Sequence, residues 1–144
     1  MSKPTVPLRS EAAVQREALA IFKAWGVPMQ RRNTRVFTVV GKGGKNRPLF
    51  CGEAGDSDLT GTLPGGRRID VEVKREGWSP SKVSGKDRER WGRQLAKLIG
   101  LNRMGGVGMY VTRPETLHEV IPRLLRGARV VLDESGNQRV IDED

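Results

Sequence analysis

Apolar positions follow two rhythms along this chain, one of helix and one of strand. Val14, Ala18, Ile21, Phe22 and Trp25 recur at helical spacing behind Ser10, a good N-cap, and the pattern stops at Gly26 with Pro28 just beyond. This predicts a helix over 10–25 with that stripe buried and Glu11 on or beside it in the first turn. Residues 35–40 are rich in β-branched side chains and read as a strand, 48–51 opens a second, and 56–62 is a short strand or a strand end leading to the turn Pro64-Gly65-Gly66. Residues 68–74 carry the clearest strand alternation: Ile69, Val71 and Val73 point to one face, and Asp70, Glu72 and Lys74 to the other. A helix follows over 86–103, with Trp91, Leu95 and Leu98 as its apolar seam, Gln94 beside them, and Gly105-Gly106 as its stop. Residues 107–112 form another short apolar strand. Pro114 opens a third helix that carries Leu117, Val120, Ile121 and Leu124, with Pro122 set to shorten or kink it. Residues 130–132 and 139–141 flank a Ser-Gly-Asn turn and read as a terminal hairpin before an acidic, solvated end.

The order is helix, three strands, helix, strand, helix. Short turns join the first strands and a helical crossover leads to the last, so the fold class is α/β with a small mixed central sheet in a single domain. A length of 144 residues suits one modest core. Residues 1–9, with Pro4 and Pro7, read as a flexible leader, 10–126 as the domain, and 127–144 as a C-terminal extension. The residues before the first helix have no apolar signal core and no stretch is long enough to span a membrane, so the expected setting is the cytoplasm without membrane partners. Cys51 is the only cysteine, which rules out an internal disulfide and reads as a packed or partly exposed thiol.

Charge changes this picture of an ordinary small domain. The net charge is +9 and the isoelectric point about 10.4. Such an excess favours a polyanionic partner, nucleic acid being the commonest, and the arginine-rich composition suits phosphate. Gly41-Lys42-Gly43-Gly44-Lys45 lacks the spacing of a nucleotide phosphate loop and reads as a basic loop touching backbone phosphates. Arg31, Arg32 and Arg35 fit phosphate contacts or a solvated turn equally well. Lys82, Lys86, Arg88, Arg90 and Arg93 enter the second helix as a basic stretch that Asp87 and Glu89 partly offset. Trp25 and Trp91 read as core. Trp78, in a Gly/Ser/Pro loop, is either a wedge or stacking platform for nucleic acid or, slightly favoured, an anchor packed on the sheet. His118 reads as a helix-surface residue, and one His with one Cys cannot build a zinc site.

The candidate chemistry lies where Ser57-Asp58-Leu59-Thr60-Gly61 precedes Ile69-Asp70-Val71-Glu72-Val73-Lys74 by one turn. If the two segments pair as a hairpin, Asp58 and Glu72 converge at one end of the sheet. Two carboxylates there make a hard oxygen site suited to Mg²⁺ or Mn²⁺, with the Val73 carbonyl as a further ligand. Lys74 follows Glu72 on the same face with Cα atoms roughly 6.6 Å apart, near enough to position or deprotonate a water or to stabilise a phosphoryl group. Glu11 can add an acidic ligand from the first helix, and Gln94 can hydrogen-bond the lysine or the phosphate. The competing reading of Glu72 and Lys74 is a solvated strand face with a cross-strand pair, to which Asp70, Arg67 and Arg68 would also belong.

These residues resemble the VRR-NUC (virus-type replication-repair nuclease) branch of the PD-(D/E)XK nuclease superfamily. The resemblance covers about residues 10–112 and rests on Glu11, Ser57-Asp58-Leu59-Thr60-Gly61, Val71-Glu72-Val73-Lys74 followed by Gly77, Gln94, and Gly105-Gly106 before the last strand. It implies a PD-(D/E)XK core, a site of Asp58, Glu72, Val73 and Glu11 around Mg²⁺ or Mn²⁺ with Lys74 and Gln94 in catalytic roles, and hydrolysis of DNA phosphodiesters. Stand-alone members of this size come largely from phages and bacteria and resemble Holliday-junction resolvases in being small dimers. The expectation is thus a structure-selective endonuclease for Holliday junctions or other branched DNA, acting as a homodimer in a bacterial or phage-infected cell, with the third helix and terminal hairpin as candidate interface. The alternative is a non-catalytic basic DNA-binding module on the same fold. The loop over 78–86, long and rich in Ser, Lys and Gly, departs from the family pattern and bears on substrate preference.

Overall fold

The computed structural model describes residues 6–32, 36–40, 42–44, 46–50 and 57–143. Helix α1 spans Glu11–Ala24 and starts where Ser10 Oγ accepts a hydrogen bond from the amide of Ala13 at 3.2 Å. It ends at Gly26, whose φ of 79° lets the amides of Gly26 and Val27 close on Lys23 and Phe22. Strands β1 (Met29–Arg31), β4 (Leu59–Thr62), β5 (Arg68–Val73) and β6 (Val107–Val111) make the central sheet in the order β1-β4-β5-β6. The first two pairings are antiparallel, while β5 and β6 are parallel. The parallel step is the one made through helix α2 (Lys86–Arg103).

Two expectations change here. The strand predicted over 35–40 and the one predicted at 48–51 form their own hairpin, β2 (Val36–Val40) with β3 (Asn46–Phe50), outside the central sheet. Their place in the sheet is taken by β1, which is only three residues long and has no alternation to announce it. The expectations for residues 1–5, 35, 41, 45 and 51–56, Cys51 among them, lie outside the described residues.

The sheet is covered on both faces. Val71 and Val73, with Ile69, pack under Val14, Ala18 and Phe22 of α1 and Leu117, Ile121 and Leu124 of helix α3 (Leu117–Leu125). The apolar stripe of α3 is therefore used inside the domain, which removes it as a docking face for a second copy. Trp25, expected in the core, is instead 38% exposed, and its indole N–H donates to His118 Nδ1 at 3.2 Å. The indole sits past the last turn of α1 and meets α3 at its exposed residue His118. Helix α2 lies on the opposite face. It approaches β6 so closely that a Cβ on Gly108 would collide with the Leu98 backbone, 2.8 Å from its Cα.

The outer edge of β6 is covered by side-chain amides. Asn102 bonds both polar groups of Gly108 at 2.9 and 2.6 Å, and Gln138 does the same at Tyr110 at 2.8 and 3.0 Å. Gln138 belongs to the terminal hairpin of β7 (Arg129–Leu132) and β8 (Gln138–Ile141), and this hairpin buries Val130 and Leu132. At the other end of the chain, Arg9 anchors the leader with salt bridges of 2.7 Å to each of Glu17, Glu76 and Glu115. Backbone bonds between Arg9 and Glu76 tie the start of α1 to the end of β5.

Candidate active site

Antiparallel pairing of β4 with β5 sets Leu59 opposite Val71, so the residue before β4 meets the one after Val71. Asp58 thus arrives beside Glu72 at the end of the sheet. Its carboxylate replaces the next rung of the ladder: Oδ2 accepts the amide of Val73 at 2.8 Å, while its carbonyl accepts the amide of Arg32 at 2.7 Å. On the other side, Lys74 donates its amide to the carbonyl of Val111 at 3.0 Å. The backbone around Asp58, Val73 and Lys74 is held from both neighbouring strands.

Glu72 points from β5 towards α2 and is only 2% exposed. Gln94, buried on the inner face of α2, donates Nε2 to Glu72 Oε1 at 2.9 Å and accepts from Lys74 Nζ at 2.8 Å through its own Oε1. Lys74 Nζ lies 3.6 Å from Glu72 Oε1, beyond hydrogen-bond reach. The second oxygen, Glu72 Oε2, is buried with no hydrogen-bond donor among the described residues. A strand face bathed in solvent would not bury a glutamate to this extent.

Electrostatics follow from this placement. Burial, then the charge of Asp58 and a hydrogen bond to it, push the Glu72 carboxyl up to about 9, and the nearby Lys74 ammonium only partly offsets them. Glu11, in the first turn of α1, keeps an exposed surface. Partial desolvation followed by the charge of Asp58 still raises its carboxyl, against the pull of Lys74 and Arg90. The charge of Asp58 thus bears on both Glu72 and Glu11, and Lys74 opposes it at both.

Asp70 does not join them. It accepts from Thr60 at 2.6 Å and from Arg68 at 3.1 and 3.0 Å, with Arg32 4.0 Å away, in a network further down the sheet. Of the residues expected here, Glu72, Lys74 and Gln94 are joined by hydrogen bonds and Asp58 lies beside Glu72, while Glu11 lines the cleft next to Lys74. Val73 contributes its amide to Asp58 and its side chain to the core.

Two neighbours of the lysine were not assigned to the site. Lys74 Nζ sits 5.3 Å from the ring centroid of Trp78 and 5.4 Å from that of Trp91. The two indoles and Tyr110 contact each other edge to face, with centroids 4.8–5.6 Å apart. Trp78 thus packs as the loop anchor while, half-buried, it keeps part of its surface on the cleft beside Lys74, and Trp91 is core. The signal available was spacing: Trp78 follows Lys74 by four residues, and Trp91 precedes Gln94 by one helical turn.

Do these residues fit a metal? Among the described residues no three His, Cys, Asp or Glu side chains are grouped so as to hold one. A hard cation that keeps several waters needs fewer: one or two carboxylates suffice for Mg²⁺. A buried glutamate oxygen without a donor, beside a second carboxylate, is the arrangement such a cation would neutralise. Asp58 and Glu72 therefore suit a two-carboxylate site. No protein-family model matches the chain, and no curated protein or solved structure does either.

Proposed function

We propose that the chain is a divalent-metal-dependent endonuclease that hydrolyses DNA phosphodiester bonds, with a PD-(D/E)XK type of core. The observation that carries this reading is the buried, donorless oxygen of Glu72 set beside Asp58 and linked through Gln94 to Lys74. A protein that only binds DNA gains nothing from buried carboxylates where phosphates dock, because they repel the ligand. Asp58 and Glu72, with the carbonyl of Val73, would hold Mg²⁺ or Mn²⁺, and Glu11 would assist from α1. Such an ion, when bound, polarises the phosphate and makes its water more acidic.

The chain's own groups do the rest. One Lys74 proton is committed to Gln94, which leaves further donors for the attacking water or a phosphoryl oxygen. Gln94 fixes the lysine from a rigid helix. The indoles of Trp78 and Trp91 pack beside its ammonium group. The surrounding cations favour a polyanion, and the sequence carries no base-reading motif, so recognition goes by backbone and shape. Branched DNA cut by a homodimer is the form of the proposal consistent with these features.

The test uses labelled four-way junction, flap and linear duplex with Mg²⁺, Mn²⁺ or EDTA. Metal-dependent cleavage of branched DNA is expected. Binding without any cleavage in either metal would leave a non-catalytic DNA-binding module.

A further inference from the structure

A cleft of about 230 Å³ opens directly beside Lys74. Lys82 of the turn Pro80–Lys82 lines it from the loop, Asp87 and Arg90 from the first turns of α2, and Trp78 and Trp91 belong to the same lining. Arg75, Lys82 and Arg90 reach it from exposed positions, so with Lys74 four cations face two anions, Glu11 and Asp87, among the described residues. The turn wall is braced from behind by the terminal hairpin: a Cβ on Gly136 would lie 2.7 Å from Pro80, and Tyr110 donates its hydroxyl to the Gly136 carbonyl at 3.0 Å.

Size, charge and aromatic surface together select an occupant. At about 230 Å³ the cleft is smaller than the roughly 300 Å³ at which sites for drug-sized ligands start, which limits an occupant to at most one nucleotide. Cations beside an aromatic wall are the elements that hold single strands, the former on phosphate and the latter on the base. Because the cleft shares Lys74 with the proposed catalytic group, its occupant sits next to the bond that Lys74 addresses.

On the nuclease reading above, we propose that this cleft is the subsite for one unpaired nucleotide flanking the scissile phosphate, held by Arg75, Lys82 and Arg90 with Trp78 against its base. The enzyme then requires an unpaired position beside the cut, as at a flap or an opened junction, and an intact duplex cannot enter.

Binding is measured in EDTA, by fluorescence anisotropy of a labelled oligothymidylate and a blunt hairpin duplex over a range of salt. Wild type is expected to prefer the single strand. The triple variant Arg75→Ala, Lys82→Ala, Arg90→Ala should bind it at least about tenfold more weakly, with the salt slope reduced by roughly 0.7 for each phosphate no longer neutralised. Arg139→Ala, which removes an exposed charge outside the cleft, should change little. Quenching of tryptophan fluorescence by the strand should largely vanish in Trp78→Phe. An unchanged slope in the triple variant, an equal loss in Arg139→Ala, or tighter binding of the blunt duplex overturns the subsite. Cleavage is not involved, so the subsite can fail while the nuclease reading stands, and the reverse.

Discussion

Replacing Glu72 with glutamine should make the metal-free protein more stable above neutral pH. Burial and Asp58 hold the folded-state carboxyl near 9, whereas in the unfolded chain it returns to the ordinary value of 4.5. For a raised acid, the associated stability is fully present below about pH 4.5. It is lost as pH rises towards 9, because folding must then take up a proton that the unfolded chain has released. One proton over that window corresponds to about 1.4 kcal/mol per pH unit, so the loss grows steadily as pH rises. Glutamine escapes this loss. Its carbonyl can still accept from Gln94, and its amide can donate to Asp58 as the protonated acid does. Urea denaturation of Glu72→Gln and wild type in EDTA should give similar stabilities near pH 4.5 and a gap that widens in favour of the variant up to pH 9. Lys74, at 3.6 Å, supplies the opposing hypothesis of an ionised pair. If that pair dominated, the variant would be less stable than wild type at pH 8, and the reasoning about Glu72 would be refuted.

Other outcomes follow from the same geometry. Mg²⁺ should raise the melting temperature of wild type, by about 1.4 kcal/mol of stability at ten times its dissociation constant, and should leave Asp58→Asn unmoved in calorimetry. Gln94→Ala should lower kcat by about 10²-fold with little change in KM, since it removes the side chain that holds Lys74 by a hydrogen bond, and steady-state kinetics would show the split. Arg9→Ala should lower the melting temperature and make it less sensitive to salt, because three carboxylates then lose their shared cation at the junction of α1 and β5. Gly108→Ala should cost about 1–3 kcal/mol in chemical denaturation by forcing α2 away from β6.

Periodic elements were legible in the sequence because burial on one face dictates their pattern. The helix over 86–103, the alternation over 68–74 and the terminal hairpin appear as read. The cluster of Asp58, Glu72 and Lys74 was legible for the same reason, since one hairpin register brings the first two together. Failures came where tertiary context decides. Strand β1 is held by pairing with β4 and carries no pattern of its own, so the central sheet was assigned the wrong partners for β4. Trp25 fits the helical stripe but lies past the last turn of α1, where its indole meets the exposed His118 and stays partly in solvent. The Arg9 knot joins residues 8, 67 and 106 positions apart, a distance no local rule spans. The donorless state of Glu72 Oε2 is likewise a property of packing, invisible until α2 is laid over the sheet.

The central claim is tested most directly by single-turnover cleavage of a branched DNA with Mg²⁺, comparing wild type with Asp58→Asn and Lys74→Met, each shown to be folded and to bind the same DNA. Wild type is predicted to cut in a manner that EDTA abolishes, and both variants to cut about 10² or more times slower without weaker binding. Cleavage that persists in both variants, or no cleavage by wild type on any branched substrate, would contradict the assignment.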